Sequence, residues 1–217
     1  MLRATKGWNI PFENARLLRR SFFNRDPRRV ARELLGKVLL RRQRDTLLAG
    51  RIVELEVYLG ENDPAAHAFA GPTARNRVLF GPPGHAYVYF IYGNHYCLNV
   101  SCMPKGQAGS LLLRALQPLA GQEAMARNRG LSAEHITGRK ARLLTSGPGR
   151  MAEALGIIRA RDNDKDLVSP QSDLIIVDDG FCPKKVVVTP RIGITKAAEE
   201  PLRYVIAGNE FVSTKRA

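Results

Sequence analysis

The segment from Thr46 to Leu59 constrains the fold more than any other part of this chain. Within it, Ile52-Val-Glu-Leu-Glu-Val-Tyr-Leu59 alternates in hydropathy, and the period-2 geometry of an extended backbone sorts its side chains into two faces. Val53, Leu55, Val57 and Leu59 fall on one face, and Ile52, Glu54, Glu56 and Tyr58 on the other. Two carboxylates and a tyrosine therefore share one side of a single strand.

The neighbouring segments supply partners for it. Asp26-Pro27 predicts a helix start, with Val30, Leu34 and Leu35 as its apolar stripe and Gly36 at its end. Lys37–Arg41 predicts a strand joined to Thr46–Leu59 by a polar turn at Gln43-Arg44-Asp45. His85–Ile91 and Tyr96–Ser101 predict a hairpin around Tyr92-Gly93-Asn94-His95, and Leu111–Gln117 a further strand. Short helices are expected at Gln122–Arg129, Arg139–Leu144 and Gly149–Leu155. The turn Ser146-Gly147-Pro148-Gly149 before the last of these has the glycine content to present free N–H groups to a phosphate. Leu174–Val177, Lys185–Thr189, Arg203–Ile206 and Glu210–Ser213 read as strands. Strands outnumber helices, and most connections are too short for parallel crossovers. The expected class is α+β: a single domain over residues 1–217 with a curved, largely antiparallel sheet, peripheral helices and a protruding β-hairpin. Residues 1–20 are expected to be an ordered or frayed end.

Composition narrows the function. Of 217 residues, 34 are Lys or Arg and 20 Asp or Glu, a formal charge of +14, which suits a polyanionic partner such as nucleic acid. A hydrophobic share of 44% with 25% charged residues belongs to a globular chain rather than a disordered one. The charge is uneven. Residues 1–44 hold 13 basic and 3 acidic side chains, whereas 45–74 hold 1 basic and 5 acidic. Cys97, Cys102 and Cys182 form no C-x-x-C pair, which argues against a disulfide framework or a zinc site and suits a reducing cytosol. No run approaches the ~18 apolar residues of a membrane span, and the first twenty residues lack a signal-peptide core, so no membrane partner is expected.

Glu54 and Glu56 taken singly read as ordinary exposed strand glutamates. Their company changes the balance: Tyr58 on the same face, then Glu61, Asp63 and His67, then Arg75-Asn76-Arg77. A general base, an aromatic surface and hydrogen-bond donors lie within a short span. Tyr87, Tyr89, Phe90, Tyr92 and Tyr96 fit either a packed strand pair or a base-stacking platform, where each base is worth ~1–3 kcal/mol. Tyr92 before Gly93 also fits a wedge between base pairs. Cys97 reads as a buried structural thiol.

These residues resemble the alkyladenine (3-methyladenine) DNA glycosylase family, of the vertebrate and bacterial type. The matching motifs are Glu54-Leu-Glu56-Val-Tyr58-Leu-Gly60, His67, Arg75-Asn76-Arg77, Tyr87-Val-Tyr89-Phe-Ile-Tyr92-Gly93, Cys97-Leu-Asn99-Val, Leu111-Leu-Leu-Arg114-Ala-Leu-Gln-Pro118, Ser146-Gly147-Pro148, Asp166-Leu167, Arg191-Ile-Gly193 and Pro201-Leu-Arg-Tyr204. They run in order from about residue 34 to the C-terminus.

The resemblance implies a monofunctional hydrolase that takes damaged purines out of duplex DNA and cuts their N-glycosidic bond, with no metal or other cofactor. Glu56 would activate the attacking water, held also by Arg114 and the backbone carbonyl of Ile192. Tyr58, His67 and Tyr89 would enclose the base, Asn99 would discriminate at its edge, and Tyr92 would intercalate. Thr73, Arg75, Asn94, His95 and Gly193 would contact DNA, although Asn94 and His95 depart from the Met-Tyr of vertebrate relatives. A monomer is implied, cytoplasmic and associated with the nucleoid in a bacterium, or nuclear in a eukaryote. The alternatives are a non-catalytic nucleic-acid binder on the same scaffold, which needs no Glu56, and a hydrolase of free nucleosides, which needs no wedge.

Overall fold

The computed structural model describes residues 15–91, 93–132, 136 and 138–213. Among these the chain runs β1 (Arg16–Leu17), α1 (Arg20–Phe23), α2 (Pro27–Leu34), β2 (Val38–Gln43), β3 (Thr46–Tyr58), β4 (Ala86–Ile91), β5 (His95–Ser101), β6 (Ser110–Ala120), α3 (Gln122–Asn128), α4 (Arg142–Thr145), α5 (Pro148–Ala154), α6 (Arg159–Asp162), β7 (Leu174–Asp178), β8 (Val186–Thr189) and β9 (Arg203–Ile206). All pairings between these strands are antiparallel. The sheet order is β1-β7-β2-β3-β6-β5-β4, with β9 added to β3 and β8 to β9. The fold is the α+β arrangement expected, a curled antiparallel sheet with a few helices around it.

The curl originates in β3, a strand of 13 residues. Along one edge its first half pairs with β2 (Val38↔Arg51 to Gln43↔Thr46) and its second half with β9 (Glu54↔Val205 to Glu56↔Arg203). Its other edge follows β6, and there the register slips: Ile52 faces Leu116, Glu54 faces Ala115 and Leu55 faces Leu113. Val53 is thus an extra residue on β3 and Arg114 an extra residue on β6. Paired bulges of this kind bend a sheet and re-aim side chains. They also correct the face assignment of Ile52. Strict alternation groups Ile52 with the glutamates, but the bulge turns Ile52 and Val53 together into the main core. Beyond it, Leu55 and Val57 face the core, and Glu54, Glu56 and Tyr58 the other side, as alternation requires.

Helix α2 forms where Asp26 caps it, its carboxylate accepting from Arg28 N–H at 2.8 Å, with Pro27 at the first helical position. Val30, Ala31 and Leu34 are buried against the sheet. Gly36 ends the segment at φ +90, where a Cβ would also come within 2.9 Å of the Phe181 ring. Two expectations need correction. Glu210–Ser213 is not a strand but a turn and an extended end that fold over the sheet. Arg139–Leu144 divides into a 3-10 turn over Gly138–Ala141 followed by α4.

Helix α6 has no apolar stripe and was not expected from the sequence. It exists because Asp162 is drawn inside. This fully buried carboxylate meets Arg41 of β2 at 2.8 Å, Arg161 at 2.9 Å and Lys165 at 3.0 Å, and accepts from the Ile158 N–H at 2.9 Å. The residues that follow close the open edge of β4: Val88 N–H donates to Asn163 Oδ1, Asp164 N–H to the Ala86 carbonyl, and Ala86 N–H to the Lys165 carbonyl. An exposed pair such as Glu123–Arg127, at 3.9 Å, contributes at most a few tenths of a kcal/mol by comparison.

Burial alone pushes the Asp162 carboxyl upward, but Arg161, the Ile158 amide, Arg41 and Lys165 outweigh it and lower its pKa from 3.8 to about 2. A folded-state value below the unfolded one gives stability that is present above 3.8 and lost as pH falls through about 2. Asp162→Asn should cost about 2–5 kcal/mol at neutral pH, because Arg41 stays buried without its main partner. The deficit should shrink once pH drops below 3.8 and vanish near 2. Urea midpoints of the two proteins measured across that range check this, and a deficit that does not change with pH would count against it.

Candidate active site

The register of the sheet assembles the site. Glu56 lies opposite Leu112, Leu112 opposite Asn99, and Asn99 opposite Tyr87, so one rung across β3, β6, β5 and β4 carries these four side chains on the same face. One rung along, Tyr58 faces Ser110; one rung back, Cys97 faces Tyr89. Together they wall a cavity of about 1100 Å³. Its other side is formed by the loop carrying His67, the start of α5 with its preceding turn, and Ile192 to Ile194.

Two buried carboxylates compete here for cations. Glu54 and Glu56 both have 0% exposure. Arg114, freed from strand pairing by the bulge, spans them: Nε donates to Glu54 Oε1 at 2.9 Å and Nη1 lies 3.1 Å from Glu56 Oε1. Burial alone favours loss of the Arg114 charge, but the two glutamates reverse this and raise its pKa. Glu54 also takes Arg203 Nε at 2.7 Å and both the N–H (2.6 Å) and hydroxyl (2.8 Å) of Ser213. Glu56 accepts the Ile192 N–H on Oε1 at 2.8 Å and the Tyr58 hydroxyl on Oε2 at 3.1 Å. It is thus the amide of Ile192 that touches Glu56 here. The two glutamates separate in kind: the oxygens of Glu54 are occupied by fixed donors, while Glu56 lies in the cavity wall.

The aromatic wall is electrically neutral at pH 7. Burial, then the Glu56 charge, raises the Tyr58 pKa well above 10.0. Burial, then Cys97, does the same for Tyr89. Below Tyr58, the Arg191 guanidinium sits 4.8 Å from the ring centre and forks onto Asp63, with Nη2 to Oδ1 at 2.9 Å. Burial pushes the Asp63 carboxyl up, but Arg191 and the amides of Ala65 and Leu59 outweigh it and hold its pKa below 3.8. The His67 ring packs edge-on to Tyr89 at 4.5 Å and its Nδ1 lies 3.0 Å from the Tyr87 hydroxyl. Asn76 fixes that loop, donating to the His67 and Gly71 carbonyls and accepting from the Thr73 N–H at 2.6 Å.

Of the residues predicted from the sequence, Glu56, Arg114, Ile192, Tyr58, His67, Tyr89, Asn99, Asn94, His95 and Gly193 all line the cavity. Thr73 and Arg75 are exposed on the adjoining loop rather than in the wall. Tyr92 lies outside the described residues. In the turn expected to face a phosphate, the Gly147 N–H is spent on the Arg114 carbonyl and Pro148 has none, so these two positions brace the bulge, while Gly149 lies in the cavity wall. Sequence reasoning missed Ser110 and Leu112, which follow once the strand register is known, and the Ser213 contact, which no local signal announces. Among the described residues no group of three or more His, Cys, Asp or Glu side chains is placed to hold a metal ion. None of the helices described is long and apolar enough to cross a membrane.

Residues 21–210 match the methylpurine-DNA glycosylase family. The chain belongs to that family. A protein of Koribacter versatilis is 67% identical over 199 residues, which cover 92% of this chain and 94% of its own. Relatives in Rhodopseudomonas palustris (47% over 196 residues, 90% of each chain) and Methanocella arvoryzae (45% over 187 residues, 86% and 89%) are similar over nearly the same extent. All three bear the provisional name 3-methyladenine DNA glycosylase. Membership makes the chain a DNA glycosylase, a hydrolase of N-glycosidic bonds that takes DNA as substrate.

The protonation of the wall matters for what the cavity can admit, because a charged imidazole would repel a cation. Loss of water around His67, and then the Arg75 charge, lower its pKa below 6.5. An NMR titration of the His67 ring should give a midpoint below 6.5, moving upward in Arg75→Ala. A midpoint at or above 6.5 in the wild type would contradict the geometry.

Proposed function

We propose that this glycosylase removes alkylated purines, 3-methyladenine among them, from duplex DNA by a single hydrolytic displacement with Glu56 as the general base. The observation that carries this reading is the placement of Glu56, backed by Arg114 and the Ile192 amide, in the same cavity as the neutral aromatic wall of Tyr58, His67 and Tyr89. A base inside a stacked duplex is out of reach, so it must be extruded at a cost of a few kcal/mol. The cavity offers electron-rich tyrosine faces, which suit a purine made cationic by N-alkylation. That positive charge also makes the base a good leaving group, so one carboxylate suffices where other glycoside hydrolyses use two.

The Tyr58 hydroxyl now occupies Glu56 Oε2. A base entering against Tyr58 displaces that hydroxyl and frees Oε2 to take a proton from water, while Arg114 and Ile192 hold Oε1 in place. Among the described residues lining the cavity there is no lysine, which supports water rather than an amine as nucleophile and hence no strand cleavage. Asn99 is the discriminating residue in this reading, crowding the extra amino group of guanine; its burial at 3% exposure and its Nδ2 bond to the Tyr87 carbonyl at 3.3 Å support that by fixing the side chain in the wall. Thr73, Arg75, Asn94, His95 and Gly193 hold the DNA around the mouth, and the β4–β5 hairpin, with Tyr92 in its tip by sequence, enters the gap the base leaves.

Glu56→Gln should slow base release by about 10²–10⁴-fold while leaving affinity for the lesion duplex within a few fold. An oligonucleotide with one 3-methyladenine, ethenoadenine or hypoxanthine, treated with alkali after incubation, provides the assay. Near-normal turnover of the variant would remove Glu56 from the role, and absence of release by the wild type on every lesion would favour the non-catalytic binder. Affinity should also fall with salt, log K declining with log salt by roughly 0.9 for each phosphate contacted. A salt-independent affinity, or release from free nucleosides at the same rate, would point to a small-molecule hydrolase instead.

A further inference from the structure

Glu54 is a fully buried carboxylate beside Glu56 to which the proposed reaction gives no role, and its surroundings suggest why it is there. Arginine prefers to close both arms of its guanidinium on a single carboxylate. With two buried carboxylates beside it, Arg114 would satisfy that preference on either one and abandon the other. In the structure it does neither, because Glu54 is already engaged: Arg203 Nε (2.7 Å) and the Ser213 hydroxyl (2.8 Å) share Oε1 with Arg114, and the Ser213 N–H (2.6 Å) holds Oε2. Only Arg114 Nε is admitted to Glu54, and Nη1 is left to reach Glu56.

The segment bearing Ser213 is itself fastened. Ser146 Oγ donates to the Phe211 carbonyl at 2.7 Å, Arg142 Nη2 to the Val212 carbonyl at 3.0 Å, and Arg203 Nη2 to the Ser213 carbonyl at 2.9 Å. Ser146 and Arg142 belong to the cavity wall, and Ser146 also bridges to Ala115 beside the bulge. The turn that replaces the expected strand at Glu210–Ser213 is therefore a clasp tied to the elements it serves.

From this we infer that Glu54, saturated by Ser213 and Arg203, is a positioning residue that divides Arg114 between the two glutamates, and that Ser213, itself in the cavity wall, sets the rate of base release through that division. The inference rests on the proposed role of Glu56. Loss of the hydroxyl frees a lone pair of Glu54, lets Arg114 turn further onto it, and loosens the hold on Glu56.

The test uses the full chain with Ser213→Ala, Ser213→Thr and Glu56→Gln, with single-turnover base release and lesion-duplex affinity measured for each. Ser213→Ala should release base roughly three- to tenfold more slowly with affinity unchanged within about twofold, and Ser213→Thr, which restores the hydroxyl, should recover most of the rate. The Arg114 Nε–H resonance should shift in the alanine variant and return in the threonine variant. An unchanged rate in Ser213→Ala, equal losses in rate and affinity, or no recovery in Ser213→Thr would overturn the inference while Glu56→Gln stays inactive. If the wild type releases no base the functional reading fails instead, and the Arg114 resonance still decides whether Ser213 positions it.

Discussion

The structure turns on one guanidinium held between two buried carboxylates. Removing a carboxylate from water is costly, and two side by side would lose at least one charge unless cations stood with them. Arg114 supplies the shared cation and Arg203 the second, both within 3.1 Å of a glutamate oxygen. Arg114 reaches this position because it is the unpaired residue of a bulge, and the bulge is where β3 exchanges β2 for β9. The geometry that curls the sheet thus also delivers the cation that its two buried glutamates share.

Around that centre the sheet acts as a ruler. Cross-strand neighbours sit ~4.5–5.5 Å apart, so a rung through four strands spans the width of a base and its sugar. Glu56 stands at one end of such a rung and Tyr87 at the other, with Asn99 and Leu112 between them. This arrangement depends on the register of β4, an edge strand that would otherwise offer an open row of amides. The residues after Asp162 occupy that row, so the buried cluster around Asp162 and Arg41 steadies the aromatic wall from a distance.

Much of this was legible in the sequence because it rests on local rules. The alternation in Val53–Tyr58, the Asp26-Pro27 cap and the hairpin around Gly93 each depend on a few consecutive residues, and the structure has them where expected. What was not legible depends on register or on distant partners. The face of Ile52 was misassigned because a bulge adds one residue to the count. Helix α6 has no hydrophobic signal, since its buried residue is an aspartate matched by Arg41, over a hundred positions away in sequence. Glu210–Ser213 reads as a strand through its adjacent Phe211 and Val212, yet its Ser213 amide goes to Glu54 and not to a neighbouring strand. The cavity residues between Glu56 and Asn99 were legible because their chemistry is clustered in sequence, Arg114 and Ile192 entered only through the family resemblance, and Ser213 was missed because no such cluster surrounds it.

The basic composition can also be understood more closely. An acidic stretch facing a polyanion would repel it, and residues 45–74 hold five carboxylates. Three of them, Glu54, Glu56 and Asp63, have exposures of 0%, 0% and 2%, and each is within hydrogen-bonding reach of an arginine. To a phosphate at the rim they appear as closely spaced dipoles whose fields cancel over a few ångströms, well inside the ~8–10 Å over which salt screens a free charge. Of the five, only Asp45 and Glu61 are exposed. The excess of Lys and Arg can therefore act on DNA at long range while Glu56, the base in the proposed reaction, keeps its arginine partner a short distance beneath. Neutralising that carboxylate with a surface lysine would serve neither purpose, because a flexible, solvated ammonium gives up its partner for phosphate. A planar guanidinium locked by a second glutamate does not.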